Sequence, residues 1–345
     1  MNTDELPIGK NLPPQTIKAM FSLAEDTPFN NKQLGYKILM QKNWEMDTIE
    51  TKTAELDTVS FKPIALFASP QNHPQSAYIH IYAVELVKEI TAAHLLRHYA
   101  NTTNRKIINL QEISIYFADS LMTFNIENQP FIGRAAIRID GNRAFMVFGF
   151  TKKANYENLA EIFGLTVASF QLTSPSSQDY IEQRETIVLF NTLKFNYPVS
   201  WQSNIPKEIP NGRQVTDLYH FDNENVLQGM IRIKAIEKNS IDSVEKVIRG
   251  TIDEFTDANV KIQQKFHQSS VESYSKQFLN GELLIYDCTI DNNPNELWIC
   301  IFSDTTYHVV ISLLTPARDK VFYTWALNKR AYDIVLESVG SGLNL

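Results

Sequence analysis

Apolar and polar residues alternate in short runs along most of this chain, and between those runs apolar residues recur at helical spacing. The run from Leu34 to Trp44 matches the run from Leu193 to Trp201 in character. Each is a short alternating strand that ends in a polar turn and a tryptophan. The segments after each tryptophan are parallel too. In the first half an extended run, Phe61 to Ser69, precedes Ala77 to Tyr82. In the second, Gln214 to Phe221 meets Val226 to Ile236 across Asp222, Asn223, Glu224 and Asn225, a cluster of turn formers.

A helix is expected next in both halves. The first runs from about Val84 to Asn101, with Val84, Val87, Thr91 and Leu95 on one side. The second carries Ile241, Val244, Ile248, Ile252 and Phe255 at helical spacing, with Asp242 and Glu245 as a capping-box-like start. Antiparallel strands come after: Phe131–Asp140 and Arg143–Phe150, joined at Asp140-Gly141-Asn142, a turn suited to positive φ. The second half gives Gly281–Ile290, Leu297–Ser303 and Tyr307–Leu314. Each half closes with an amphipathic helix, striped by Tyr156, Leu159, Ala160, Phe163, Val167 and Phe170, or by Val321, Trp325, Tyr332, Val335 and Val339.

Stripes and alternating strands each bury one face, so the pattern predicts an α+β protein of two similar domains. Each domain is an antiparallel β-sheet packed by two helices, in the order strands, helix, strands, helix. Residues 1–30 are expected to be a polar leader with one amphipathic turn at Ile17, Met20 and Phe21, either a tail or a tether for a partner. The first repeat covers 31–172 and the second 190–345; residues 173–189, opening with Thr173-Ser174-Pro175-Ser176-Ser177-Gln178, form a linker and the entry to the second repeat.

The strand Arg143–Phe150 sets Phe145, Val147 and Gly149 on one face and Met146, Phe148 and Phe150 on the other. Leu297–Phe302, with Trp298, is likewise apolar on both faces. Such a strand is covered twice, by its own helices and by a second domain, a second chain or a client segment. One reading is a strand sandwiched inside its own domain. The other is an apolar groove for an amphipathic segment. The candidate protein-binding residues are therefore Met146, Phe148, Phe150 and Trp298, with Met20 and Phe21 on the leader.

Composition narrows the partners. The 345 residues are 43% hydrophobic and 21% charged, with a net charge of −7, which argues against nucleic-acid backbones or anionic membranes as partners. No stretch approaches about 18 uninterrupted apolar residues, so no membrane insertion is expected. The N-terminus lacks the basic and apolar regions of a secretory signal, which points to the cytoplasm. Cys288 and Cys300 lie in strand-like runs and read as reduced structural thiols, with a disulfide across a hairpin as the lesser alternative.

Catalytic motifs are lacking. No phosphate-binding loop, dinucleotide fingerprint or nucleophile elbow occurs, and no cofactor or catalytic residue is assigned. His94 and His98 stand one helical turn apart and could share a metal ion, but Leu95 occupies the place where a zinc-protease helix needs Glu. A pair of partly buried, hydrogen-bonded histidines is the simpler reading, and no metal is assigned. Asp119, Glu127, Asp140, Asp287 and Asp291 fall at strand ends or turns, where carboxylates are ordinarily solvated.

One motif points to a family. Phe195, Tyr197, Pro198 and Trp201 resemble the first strand of the PsbP-like fold shared with Ran-release-factor proteins. The first half departs from the pattern, with Met40-Gln41 where the proline would stand. The resemblance implies a tandem of such domains, a pseudo-dimer within one chain. It also implies a likeness to cytoplasmic effector-associated chaperones of bacterial secretion systems, which cradle segments of a secreted protein. The expected function is a non-catalytic adaptor or chaperone that binds a client or an assembly subunit. A scaffold subunit of a larger assembly, or an enzyme with an unrecognised site, are the alternatives.

Overall fold

The computed structural model describes residues 12–47, 59–70, 75–240, 243–271, 278 and 281–339. It is a mixed α+β protein of mostly antiparallel sheets with five helices among the described residues. The chain divides into two compact units, Met1–Ile181 and Glu182–Leu345.

The first unit opens with α1 (Pro14–Met20), β1 (Phe21–Asp26), β2 (Tyr36–Gln41), β3 (Glu45–Asp47), β4 (Lys62–Ala68) and β5 (Ala77–Glu85). Then come α2 (Ala92–Thr102), β6 (Lys106–Ser114), β7 (Phe117–Ile126), β8 (Gln129–Asp140), β9 (Arg143–Lys152), α3 (Tyr156–Ser169) and β10 (Gln171–Leu172). Its main sheet has seven strands in the order β3-β4-β5-β9-β8-β7-β6, beside a small sheet β1-β2-β10. Two-residue turns set the hairpin registers. Glu127 and Asn128 take φ of 48° and 63° between β7 and β8, and Gly141 takes φ 61° between β8 and β9. A side chain at Gly141 would also meet Ser176 Oγ at 2.4 Å, so only glycine fits.

The alternation of β9 is satisfied on both faces. Phe145 and Val147 join a core with Ile79, Ile81, Phe163 and Val167, under α3 and the small sheet. Gly149 lets the Phe163 ring come close, since a Cβ there would lie 2.6 Å from it. On the other face Met146 and Phe148 are fully buried, and Phe148 meets Tyr99 of α2. The double cover therefore comes from the unit's own helices.

Several expectations are corrected here. Residues 14–26 are structured: β1 pairs with β2 from Phe21↔Gln41 to Asp26↔Tyr36, and Phe21 is 4% exposed in the core. The segment reads as polar because β1 is an edge strand with one open face; residues 1–11 lie outside the described residues. The helix expected from about Val84 to Asn101 is α2 and starts at Ala92. Val84 belongs to β5, opposite Ala144, and Thr91 Oγ1 caps the helix by accepting from the His94 amide at 3.2 Å. Val87 is exposed.

The second unit runs β11 (Arg184–Leu189), β12 (Leu193–Pro198), β13 (Gln202–Ser203), β14 (Lys207–Ile209), β15 (Arg213–Phe221), β16 (Leu227–Glu237) and α4 (Val244–Asp257). It continues with β17 (Lys261–Val271), β18 (Gly281–Ile290), β19 (Asn293–Ser303), β20 (Tyr307–Pro316) and α5 (Phe322–Glu337). Its eight-stranded sheet follows β13-β15-β16-β20-β19-β18-β17, with β14 also on β15, and β11 pairs with β12. Residues 184–189, within the stretch expected to be linker and entry to the second repeat, form β11, because Ile187 and Leu189 alternate into the core. Ser243 caps α4 through its Oγ, which accepts from the Lys246 amide; Ile241 and Asp242 lie outside the described residues.

Candidate functional site

Of the six candidate residues, Phe148 and Phe150 stack on one face of β9 with ring centroids 5.0 Å apart. Met146 and Phe148 are fully buried, Phe21 is in the core under the small sheet, and Met20 is exposed at the end of α1. Trp298 is under α5, with ring centroids 6.2 Å from Trp325 and 6.1 Å from Tyr332. Both indoles donate to Glu296 Oε2 at 2.9 Å, and the Arg318 amide donates to Oε1, so this buried carboxylate is satisfied by neutral donors. Phe150 lines a cleft.

That cleft, about 760 Å³, opens in the first unit where α2 ends and the sheet continues uncovered. Asn104, at φ 52°, reverses the chain after α2, and the Arg105 amide returns to the Ala100 carbonyl at 2.8 Å. The Thr102 hydroxyl donates to the His98 carbonyl and the Thr103 hydroxyl to that of Tyr99, so local donors quench the negative end of the helix. The reversal lays the Arg105 guanidinium over three rings, 4.4 Å from Phe124, 4.4 Å from Phe148 and 5.0 Å from Tyr99. All are within cation–π range.

Arg105 Nη1 is buried and meets no hydrogen-bond acceptor among the described residues. Leaving a charged donor so placed costs about 1–3 kcal/mol or more, which the rings offset only in part. Lys106 and Lys153 add two exposed cations to the lining, and no Asp or Glu is among the lining residues. A cationic cleft in a chain of net charge −7 is a local inversion of the surface field. Its apolar part is a ring cluster: Phe124 lies 5.7 Å from Phe131 and 5.6 Å from Phe150.

On the far side His80 packs edge-on to Phe150 at 4.9 Å, and its Nδ1 is 3.0 Å from the Tyr82 hydroxyl. Burial, reinforced by the positive charge of Arg105, pushes the His80 pKa down to about 4. Tyr82 is hydrogen-bonded in turn to Tyr99, and burial raises the pKa of both phenols. His80 is thus a neutral ring at physiological pH.

His94 and His98 do share one side of α2, where burial lowers the pKa of His98. Among the described residues no group of three or more His, Cys, Asp or Glu is placed to hold a metal. Asp119 is not a solvated strand-end carboxylate. It is buried on β7, which is covered on both faces from Ala118 to Met122, and receives Arg134 Nε at 2.9 Å. Cys288 and Cys300 are both free: Cys288 sits opposite Asn295, Cys300 opposite Leu283, and burial pushes both thiols up to about 12. Among the described residues no helix is long and apolar enough to cross a membrane.

Sequence reasoning missed Arg105, His80, Phe124 and Phe131. The available signal was Asn104-Arg105-Lys106, a helix-ending residue followed by two bases, directly after a helix.

No protein-family model and no curated protein matches the chain. Among solved structures it is similar to the solution structure of cyanobacterial PsbP (CyanoP) from Synechocystis sp. PCC 6803, at 12% identity and a TM-score of 0.35, over 48% of this chain and 96% of that one. It is also similar to the apo immunity protein TplEi of T6SS from Pseudomonas aeruginosa, at 8% identity and a TM-score of 0.24, over 88% and 93% of the two chains. The Tle4–Tli4 complex aligns at 9% identity and a TM-score of 0.24, over 87% of this chain and 98% of that chain.

Proposed function

We propose that this is a non-catalytic protein that binds another protein, a client or an assembly subunit, through the cleft beside α2. The observation that supports this reading is the mixture in that cleft: stacked phenylalanines, an arginine with an unmet donor, and no carboxylate. Aromatic residues and arginine are the types enriched at the energetic centres of protein interfaces. The imidazole in the cleft is a poor general base near pH 7, because its pKa is about 4. Binding therefore fits the site better than acid–base chemistry.

The finer reading is a tandem of two copies of one domain, a pseudo-dimer in one chain. It is supported by the element order, since a helix follows the third strand of each main sheet's path and another follows its last strand in sequence. The further step, to a PsbP-like adaptor or chaperone in the cytoplasm of a bacterium with a secretion machine, rests on Phe195, Tyr197, Pro198 and Trp201. Phe195, Tyr197 and Trp201 are buried, and Trp201 stacks on His220 at 5.3 Å.

The test is capture of partners from the protein's own cells by the tagged chain, beside the variant Ile126→Glu. Ile126 is exposed at the cleft, so the substitution places a negative charge there without disturbing the core. A stoichiometric partner held by the native chain and lost with a folded Ile126→Glu variant is the expected result. Equal recovery by both would overturn the reading.

A further inference from the structure

Among the described residues, the arginines and lysine that are buried most deeply are each closed by a carboxylate. Arg134 has Asp119, Lys234 has Glu254, and Arg330 has Glu337. Arg105 differs. It forms no salt bridge among the described residues, its Nη1 has no acceptor, and its plane is fixed by rings in front of an open cleft. A guanidinium held in this way, with Nη1 buried against the rings and its remaining edge lining the cleft, has a planar anion as its natural complement.

The remaining surface of the cleft selects what carries that anion. Phe124, Phe131 and Phe150 form a ring cluster that would bury an apolar or aromatic side chain. The one fixed guanidinium pairs with a single carboxylate, the two exposed lysines remain in solvent at the rim, and about 760 Å³ accommodates a short segment of chain. Resting on the reading of this cleft as the binding site, we propose that it receives a carboxylate carried next to an aromatic side chain on a partner polypeptide. The carboxylate lies on Arg105 and the ring lies against Phe124, Phe131 and Phe150. The carboxylate comes either from an acidic side chain or from the C-terminus of the partner.

Ligand-observed NMR titrations against the full chain test this with matched probes. N-acetylphenylalanine and its amide differ only in a terminal carboxylate. Acetyl-Glu-Phe-amide and acetyl-Gln-Phe-amide differ only in a side-chain carboxylate. One acidic probe is expected to bind at least about tenfold more tightly than its neutral twin, and which pair shows the preference assigns the source. In Arg105→Met, which keeps the packing and removes the charge, the preference is expected to vanish.

No preference in either pair, no binding of any probe, or a preference that persists in folded Arg105→Met would each overturn the proposal. Should Arg105→Met fail to fold, the comparison of twins on the native chain decides alone. Partner capture that is lost with Ile126→Glu but unchanged with Arg105→Met would leave the binding reading standing and remove the carboxylate. Capture unchanged with both variants would remove the two together.

Discussion

The sheet face that carries α2 in the first unit and the sheet face that carries α4 in the second use their cations in opposite ways. Under α4, Arg232 makes two bonds to Asp217, at 2.7 and 3.1 Å, and Lys234 places Nζ 2.8 and 2.9 Å from the Glu254 carboxylate. Burial lowers the pKa of Lys234, and Glu254 opposes that shift by favouring the charged form. Under α2, Arg105 has rings and no carboxylate among the described residues. Closing a cation internally fixes a fold, whereas leaving one open in a cleft reserves its interaction energy for something outside the chain.

The comparison can be broken first at a closed pair. Asp119→Ala leaves Arg134 as a buried cation without its carboxylate, and a loss of about 3–5 kcal/mol is expected in urea denaturation of the full chain. A loss below about 1 kcal/mol would mean that closed and open cations cost the fold the same.

Acid is the next lever. The folded pKa of His80 is about 4, below the ordinary 6.5, so the unfolded chain takes up the proton first as pH falls. His80 therefore contributes full stability above about pH 6.5, loses it as pH falls towards about 4, and contributes no further change below that. The expected loss is at most about 3 kcal/mol across the window. His80→Gln should flatten that part of the stability–pH curve, and an unchanged slope would show that the ring is not buried as described.

A smaller effect is expected at Glu254→Ala. Its side chain is 39% exposed, so solvent screening reduces the loss to about 1–2 kcal/mol. Adding Lys234→Met should recover much of it in a double-mutant cycle. The smallest effect is expected at Arg105→Met, within about 1 kcal/mol of the native chain, because removing an unmet donor compensates for the lost ring contacts.

Much of the fold was legible because its signals are local. The stripes of α3 and α5 and the turn at Gly141 follow from spacing and turn chemistry. Edge strands were not legible. β6 and β17 are each exposed or half-buried at every position, and neither shows the alternation that marks a half-buried strand. The doubly apolar strands β9 and β19 were visible, but sequence could not say that α2, α3, α4 and α5 cover them. The cleft needed still more: β5, β6, β7, β8, β9 and the end of α2 each bring a part, and no sequence window contains them together.

The most direct test sets Arg105→Met beside Arg232→Met and measures, for each, the urea midpoint and the affinity for the acidic probe that the native chain prefers. The account predicts that Arg105→Met keeps its stability and loses the probe, while Arg232→Met loses stability and keeps the probe. Binding that survives in Arg105→Met, or fails in a folded Arg232→Met, would contradict it.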